Sequence, residues 1–189
     1  MNFLVVIVSY LLGSINFAYI TARIKGIDIS SEGSGNPGTS NVLRTLGKGS
    51  AAIVLLGDLL KGAIPIIFFY QDQYFLVYGL AAVVGHIYPV FYKFKGGKGV
   101  ATYLGVYVAT VLMNPYNSDL FNIEIFQILN IPVLAFFYFV VFKTTRVSAI
   151  ASLATVLVTV SLLIYINNEI SNVVAVSYTH LTLPTRYRV

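Results

Sequence analysis

The chain has 189 residues, 57% hydrophobic and only 10% charged, with a formal net charge of +5 and a mean hydropathy of +0.81. A soluble domain carries about 25% charged residues, so this composition excludes a disordered chain, a collagen, a coiled coil and a soluble nucleic-acid binder. Cys and Trp are both absent, which removes disulfides, thiol nucleophiles and zinc–thiolate sites, while 14 Tyr and 13 Phe are left to supply interfacial aromatics.

In chain order, apolar stretches run over Phe3–Ala22, Gly49–Tyr70, Tyr74–Phe91, Val100–Met113, Ile123–Phe142 and Val147–Ile166. A membrane-crossing helix needs ~20 apolar residues, and five of these stretches approach that length. Val100–Met113 would reach only ~21 Å at 1.5 Å per residue, so it is expected to begin earlier, within the glycine-rich run before it, or to cross where the protein is thin. The first stretch has no positive region ahead of it, and its first basic residue, Arg23, follows the apolar run, unlike a signal peptide. The expected fold is therefore an all-α polytopic membrane bundle of six spans.

Charge placement orients it. Arg23, Lys25, Arg44 and Lys48 follow the first span, Lys93, Lys95 and Lys98 follow the third, and Lys143 and Arg146 follow the fifth. The alternate connections hold Asp72, Asp119, Glu124 and Glu169 and no Lys or Arg before the final tail. The positive-inside rule places the basic loops in the cytoplasm and the N-terminus outside.

Two of the basic loops carry chemistry-bearing patterns. Gly33-Ser34-Gly35-Asn36-Pro37-Gly38 cannot begin a regular helix, and Thr39, Ser40 or Asn41 is suited to cap the one that follows. A helix start offers free N–H groups to an anion, Ser34, Asn36 and Asn41 add hydrogen-bonding groups, and Arg44 adds a planar fork matched to phosphate. The other reading is a surface turn followed by a short interfacial helix. In Lys93-Phe94-Lys95-Gly96-Gly97-Lys98-Gly99, glycines let the backbone close on a phosphate, Lys98 supplies a charge and the helix starting at Val100 supplies its dipole. The spacing is not that of a Walker A loop, since Gly99 follows Lys98. The other reading here is a lysine-rich edge drawn to anionic lipid.

Inside the second stretch, Asp58 and Lys61 share one helix face and are expected to form an internal structural pair that steadies the pocket. His86 lies in Gly85-His86-Ile87-Tyr88-Pro89, near the cytoplasmic end of the third span. His86 and His180 each stand alone, and no metal-ligand constellation, nucleophile elbow or H-x-x-x-x-D pair occurs, so neither a metal nor a cofactor is expected.

These patterns resemble the bacterial acyl-phosphate:glycerol-3-phosphate acyltransferase family. The likeness rests on Gly33 to Thr45, on Asp58-Leu59-Leu60-Lys61-Gly62, and on Gly85-His86-Ile87-Tyr88-Pro89-Val90-Phe91 through Thr102, with Thr39-Ser40 where the family usually has Ala-Thr. It covers residues 1–176 in order and spacing. The resemblance implies a multi-pass enzyme of the cell inner membrane, with its active site towards the cytoplasm. It would transfer an acyl group from acyl phosphate to the 1-hydroxyl of glycerol 3-phosphate, giving lysophosphatidic acid and phosphate for phospholipid biosynthesis. Ser34, Arg44 and Lys98 are the implied catalytic residues. Asn36, Asn41, His86, Gly96, Gly97 and Gly99 are the implied substrate-binding residues. A small anion or lipid-handling transporter is the alternative.

The family pattern continues with a seventh span and an Arg-His-Arg-Glu-Asn motif. In this sequence Val173–Val176 begins an apolar run that breaks into the polar stretch 177–189, which reads as a non-native tail following a 1–176 membrane domain. His180 is not matched to that motif, because no Asn follows it three residues later.

Overall fold

The structure, a computed structural model, describes residues 1–113 and 121–145 together with positions 151, 154, 155, 157 and 158, and side chains over 121–131 are not included in that description. The expected sixth span falls mostly outside the described residues, as do Arg146, Asp119, Glu169, His180 and the 177–189 tail. Two compact units are distinguished, Met1–Pro132 and Val133–Val189.

The described elements are α-helices: α1 (Phe3–Ser14), α2 (Phe17–Ile24), α3 (Thr39–Phe69), α4 (Phe75–Ile87), a 3₁₀ turn over Val90–Tyr92, α5 (Val100–Met113) and α6 (Phe121–Thr145). Among the described residues three helical segments are long and apolar enough to cross a membrane, namely Phe3–Ile24, Thr39–Phe69 and Phe75–Tyr92, and Val100–Met113 and Pro132–Thr145 are shorter apolar helices. Isoleucines, leucines and phenylalanines such as Phe3, Ile53, Leu56, Leu60 and Phe68 stand exposed. Helices with apolar outer faces belong in hydrocarbon, where each backbone polar group must be satisfied within the helix.

The first apolar stretch is broken rather than continuous. Ile15 is extended (φ −67°, ψ 115°), and the buried Asn16 restarts the chain as α2 by accepting from the N–H groups of Ala18 and Tyr19. The break leaves the Ile15 carbonyl outside a helical ladder, and Lys61 Nζ donates to it at 2.7 Å.

Helix α3 begins earlier than the apolar run suggests, at Thr39, and is two helices joined at Gly47 (φ 82°, ψ 178°). A left-handed φ is inexpensive only for glycine. At the kink the Leu46 carbonyl accepts from Ser50 Oγ at 3.2 Å and from Lys25 Nζ at 3.4 Å. Thr39, Ser40 and Asn41 lie inside the helix instead of capping it. Its N-cap is Gly38, with no side-chain bond to the first turn. Helix α5 begins at Val100, straight after Gly99 (φ 78°), so the helix does not extend back into the glycine run.

Close packing dominates unit 1. The largest interfaces are α3 on α5 and α1 on α4. A Cβ at Gly62 would strike the Thr102 carbonyl and one at Gly105 the Leu59 carbonyl, closing α3 on α5. Gly13 meets the Ala82 backbone and Gly85 the Tyr10 carbonyl, closing α1 on α4. Small residues of this kind let helix backbones approach in lipid. Between α3 and α4, Asp72 accepts from the Tyr78 hydroxyl at 2.7 Å and from the Tyr74 N–H at 2.8 Å. These bonds hold its carboxyl below the usual aspartate range.

In unit 2 most of the described side chains lie on the C-terminal part of α6, and beyond it Thr155 Oγ1 donates to the Ala151 carbonyl at 2.8 Å. Tyr138 stacks on Phe142 with ring centroids 6.3 Å apart, and Lys143 Nζ stands 6.0 Å from the centroid of the Phe139 ring.

Candidate functional site

The loop between α2 and α3 folds around Asn41. This residue is 1% exposed. Its Oδ1 accepts from the Ser34 N–H at 2.9 Å and its Nδ2 donates to the Glu32 carbonyl at 2.9 Å, so one amide ties both sides of the turn. Gly33 (φ 57°) and Gly35 (φ 67°) take the left-handed conformations that bring Ser34 over it. Arg44, one turn further along α3, donates from Nη2 to Ser34 Oγ and Asn41 Oδ1, both at 3.4 Å. Ser34 and Arg44 are exposed, and Asn36 and Gly35 are half-buried. Ser34, Asn41 and Arg44 thus form one hydrogen-bonded group. Asn36 stands beside it, its Nδ2 against Gly38.

The second loop is shaped by what is missing from it. A Cβ on Gly96 would run into the His86 carbonyl, with Pro89 Cδ at 2.5 Å and the Ile87 carbonyl at 2.6 Å. A Cβ on Gly97 would land on His86 Nε2 and lie 3.2 Å from the Pro37 carbonyl oxygen. The Gly97 N–H donates to the His86 carbonyl at 3.1 Å. Gly97 therefore sits between α4 and the first loop, and the two loops meet there. Upstream, Lys93 (φ 52°) and Phe94 (φ 57°) are both left-handed although neither is glycine. Such conformations are uncommon and strained outside glycine. Lys98 is exposed, and its ammonium has no partner among the described residues.

Behind the second loop lies a buried polar chain. Asp58 is 2% exposed, Lys61 1% and His86 3%. Lys61 Nζ is 2.9 Å from Asp58 Oδ1, and His86 Nδ1 is 3.4 Å from the same oxygen. The ion pair expected from the i, i+3 spacing is present, with the Ile15 carbonyl as a further acceptor. His86 faces this chain from the last turn of α4, at the end of the third apolar stretch where it was expected.

Sequence reasoning identified both loops and the Asp58–Lys61 pair, but missed Asn16, the Gly47 kink and the Asp58–His86 contact. The first two had visible signals, an asparagine inside an apolar run and a glycine followed by Lys48. The third joins two helices, and nothing in the residue spacing records it. A surface concavity of about 560 Å³ between α2 and the 3₁₀ turn, walled by the stacked rings of Tyr19 and Tyr92, contains none of the expected site residues. Among the described residues there is no grouping of three or more His, Asp or Glu suited to a metal.

Comparison with known proteins gives consistent results. The family described as glycerol-3-phosphate acyltransferase matches residues 3–188. The glycerol-3-phosphate acyltransferase 2 of Bacillus cereus is 44% identical over 164 residues, covering 84% of this chain and 74% of that protein. The crystal structure of PlsY, an integral membrane glycerol 3-phosphate acyltransferase, is similar in its glycerol 3-phosphate form with 37% identity and a TM-score of 0.69, covering 87% of this chain and 76% of that one. Its lysophosphatidic acid form is similar with 38% identity and the same TM-score.

Proposed function

The chain belongs to the glycerol-3-phosphate acyltransferase family, and on that premise we propose that it acylates the 1-hydroxyl of glycerol 3-phosphate with acyl phosphate, releasing lysophosphatidic acid and inorganic phosphate. Support comes from the solved relative's glycerol 3-phosphate and lysophosphatidic acid forms. The observation that carries the reading is the meeting of the two loops at Gly97 and Pro37, because a reaction between two phosphates needs two anion cradles side by side.

The chemistry asks little covalent work of the protein. Acyl phosphate is an activated mixed anhydride. The glycerol hydroxyl attacks its carbonyl carbon, a new C–O ester bond forms, and the bond to the phosphate oxygen breaks. The departing phosphate takes the hydroxyl proton. Positioning and charge stabilisation then supply the rate. Lys98, on the loop that Gly96, Gly97 and Gly99 shape, holds one phosphate, while the Gly97 N–H stays bonded to the His86 carbonyl. Arg44, Ser34 and Asn36 hold the other, and Asn41, buried with its amide engaged by the Ser34 N–H and the Glu32 carbonyl, holds that turn in shape. The Ser34–Asn41–Arg44 group favours this assignment, since its bonds pre-orient an Arg fork for a bidentate anion.

The basic loops support a six-span topology with the N-terminus outside, in a bacterial inner membrane, and an active site facing the cytoplasm. A soluble phosphate substrate would then enter from water, and the acyl donor from the lipid.

The decisive assay supplies purified protein with radiolabelled glycerol 3-phosphate and synthetic acyl phosphate. Labelled lysolipid is expected, and Lys98→Ala should lower kcat/KM by ~100-fold, as loss of a charge-stabilising group does. An unchanged kcat and unchanged KM for both substrates in Lys98→Ala would remove the phosphate-cradle assignment. Counterflow of glycerol 3-phosphate in liposomes without new lipid would make the protein a transporter.

A further inference from the structure

The Lys61–Asp58–His86 chain lies outside both loops yet reaches one of them. Lys61 Nζ is held between the Ile15 carbonyl at 2.7 Å and Asp58 Oδ1 at 2.9 Å, so the carboxylate has little freedom to turn. The same oxygen stands 3.4 Å from His86 Nδ1. The other ring nitrogen, Nε2, is the atom that a Cβ on Gly97 would strike, and the His86 carbonyl takes the Gly97 N–H at 3.1 Å. Ring and backbone of a single residue therefore grip the segment one residue before Lys98.

We infer that His86 is a positioning residue: Asp58, pinned by Lys61, keeps the proton on His86 Nδ1 and so turns an unprotonated Nε2 towards the Gly97 backbone, which sets where the Lys98 ammonium stands. The proton follows from electrostatics. A lone pair on Nδ1 would face a carboxylate oxygen at 3.4 Å in a site almost closed to water, whereas an N–H there is attracted to it. Which imidazole nitrogen carries hydrogen is set by the partner of that nitrogen. The contact is 3.4 Å long and neither Asp58 Oδ1 nor His86 Nδ1 is in a hydrogen bond, so it acts electrostatically, choosing the tautomer rather than binding the ring. The inference rests on the reading of the Lys98 loop as a phosphate cradle, and its test separates the two.

The chain has two histidines, His86 and His180, so ¹⁵N-histidine NMR on the whole protein in lipid nanodiscs, with His180→Gln for assignment, reads the His86 tautomer directly. A protonated Nδ1 with a bare Nε2 is expected, and this preference should be lost in Asp58→Asn. Kinetics give a second readout. In His86→Asn the amide nitrogen stands near the place of Nδ1, and this variant should keep most of its activity. In His86→Gln it stands near the place of Nε2, and kcat/KM should fall between ~10-fold and ~100-fold, as a small misplacement away from the chemistry does. A role in filling volume alone would favour the larger Gln. Protonated Nε2 in the wild-type protein overturns the inference, as do equal losses in the two variants, and the wild-type spectrum decides even where a variant fails to fold. If the tautomer is as expected while Lys98→Ala has normal kinetics, the grip of His86 on the loop stands and the phosphate reading falls.

Discussion

From Gly33 to Arg44 the backbone is held by side chains, with Asn41 fastening both strands of the turn and Arg44 resting on Ser34 and Asn41. From Gly96 to Gly99 the opposite holds. No side chain of the loop fixes it, and its place is set by how closely bare glycine can approach His86, Ile87 and Pro89. The first loop carries its own scaffold and presents polar groups already engaged with one another. The second borrows its scaffold from α4 and leaves its one cation, Lys98, unpartnered among the described residues. Damage to the first should therefore be graded, bond by bond, while damage to the second should be abrupt.

Gly96→Ala tests the abrupt side and should have the largest effect. The new methyl group meets backbone carbonyls of His86 and Ile87, which cannot swing aside as a side chain would. Overpacking of this kind costs ~1–3 kcal/mol. Thermal unfolding in detergent should show that loss together with near-abolished acyl transfer, and wild-type activity would mean that the loop is not held by close approach. Asn41→Ala tests the graded side. It removes the bonds to Ser34 N–H and the Glu32 carbonyl, each worth ~1 kcal/mol, so the unfolding midpoint should fall while measurable activity persists. A complete loss equal to that of Gly96→Ala would erase the contrast.

The smallest effect sharpens the comparison from within the second loop. Lys93 holds a left-handed φ of 52°, a conformation costing ~1 kcal/mol outside glycine. Lys93→Gly relieves that strain and surrenders part of the gain to a freer unfolded chain. Stability should rise by less than ~1 kcal/mol, read as a slight increase in the unfolding midpoint. A decrease would show that the lysine side chain itself anchors the turn.

What could be read from residue order follows the same division. The loop compositions were legible because glycine, proline and charge are local signals, and the Asp58–Lys61 pair was legible because residues three apart on a helix share a face. The start of α5 at Val100 was only partly so. The run of glycines before it invited an earlier start, but a left-handed Gly99 ends that possibility. The role of Asn41 was misread as capping, since its position at a helix start suits a cap, and only the folded turn reveals Glu32 and Ser34 as its partners. His86 was legible as a residue near the cytoplasmic end of the third span, but its partner, Asp58, is on another helix, and tertiary contacts of that kind leave no periodic trace.

The glycine seams of unit 1 also decide where hydrocarbon cannot go. Where Gly62 rests on Thr102, Gly105 on Leu59, Gly13 on Ala82 and Gly85 on Tyr10, main chains touch with no room for a methyl group, so no fatty tail can thread between α3 and α5 or between α1 and α4 at those levels. Any measuring of chain length by this protein must take place along another wall, and lengthening the tail of a substrate leaves these two joints undisturbed.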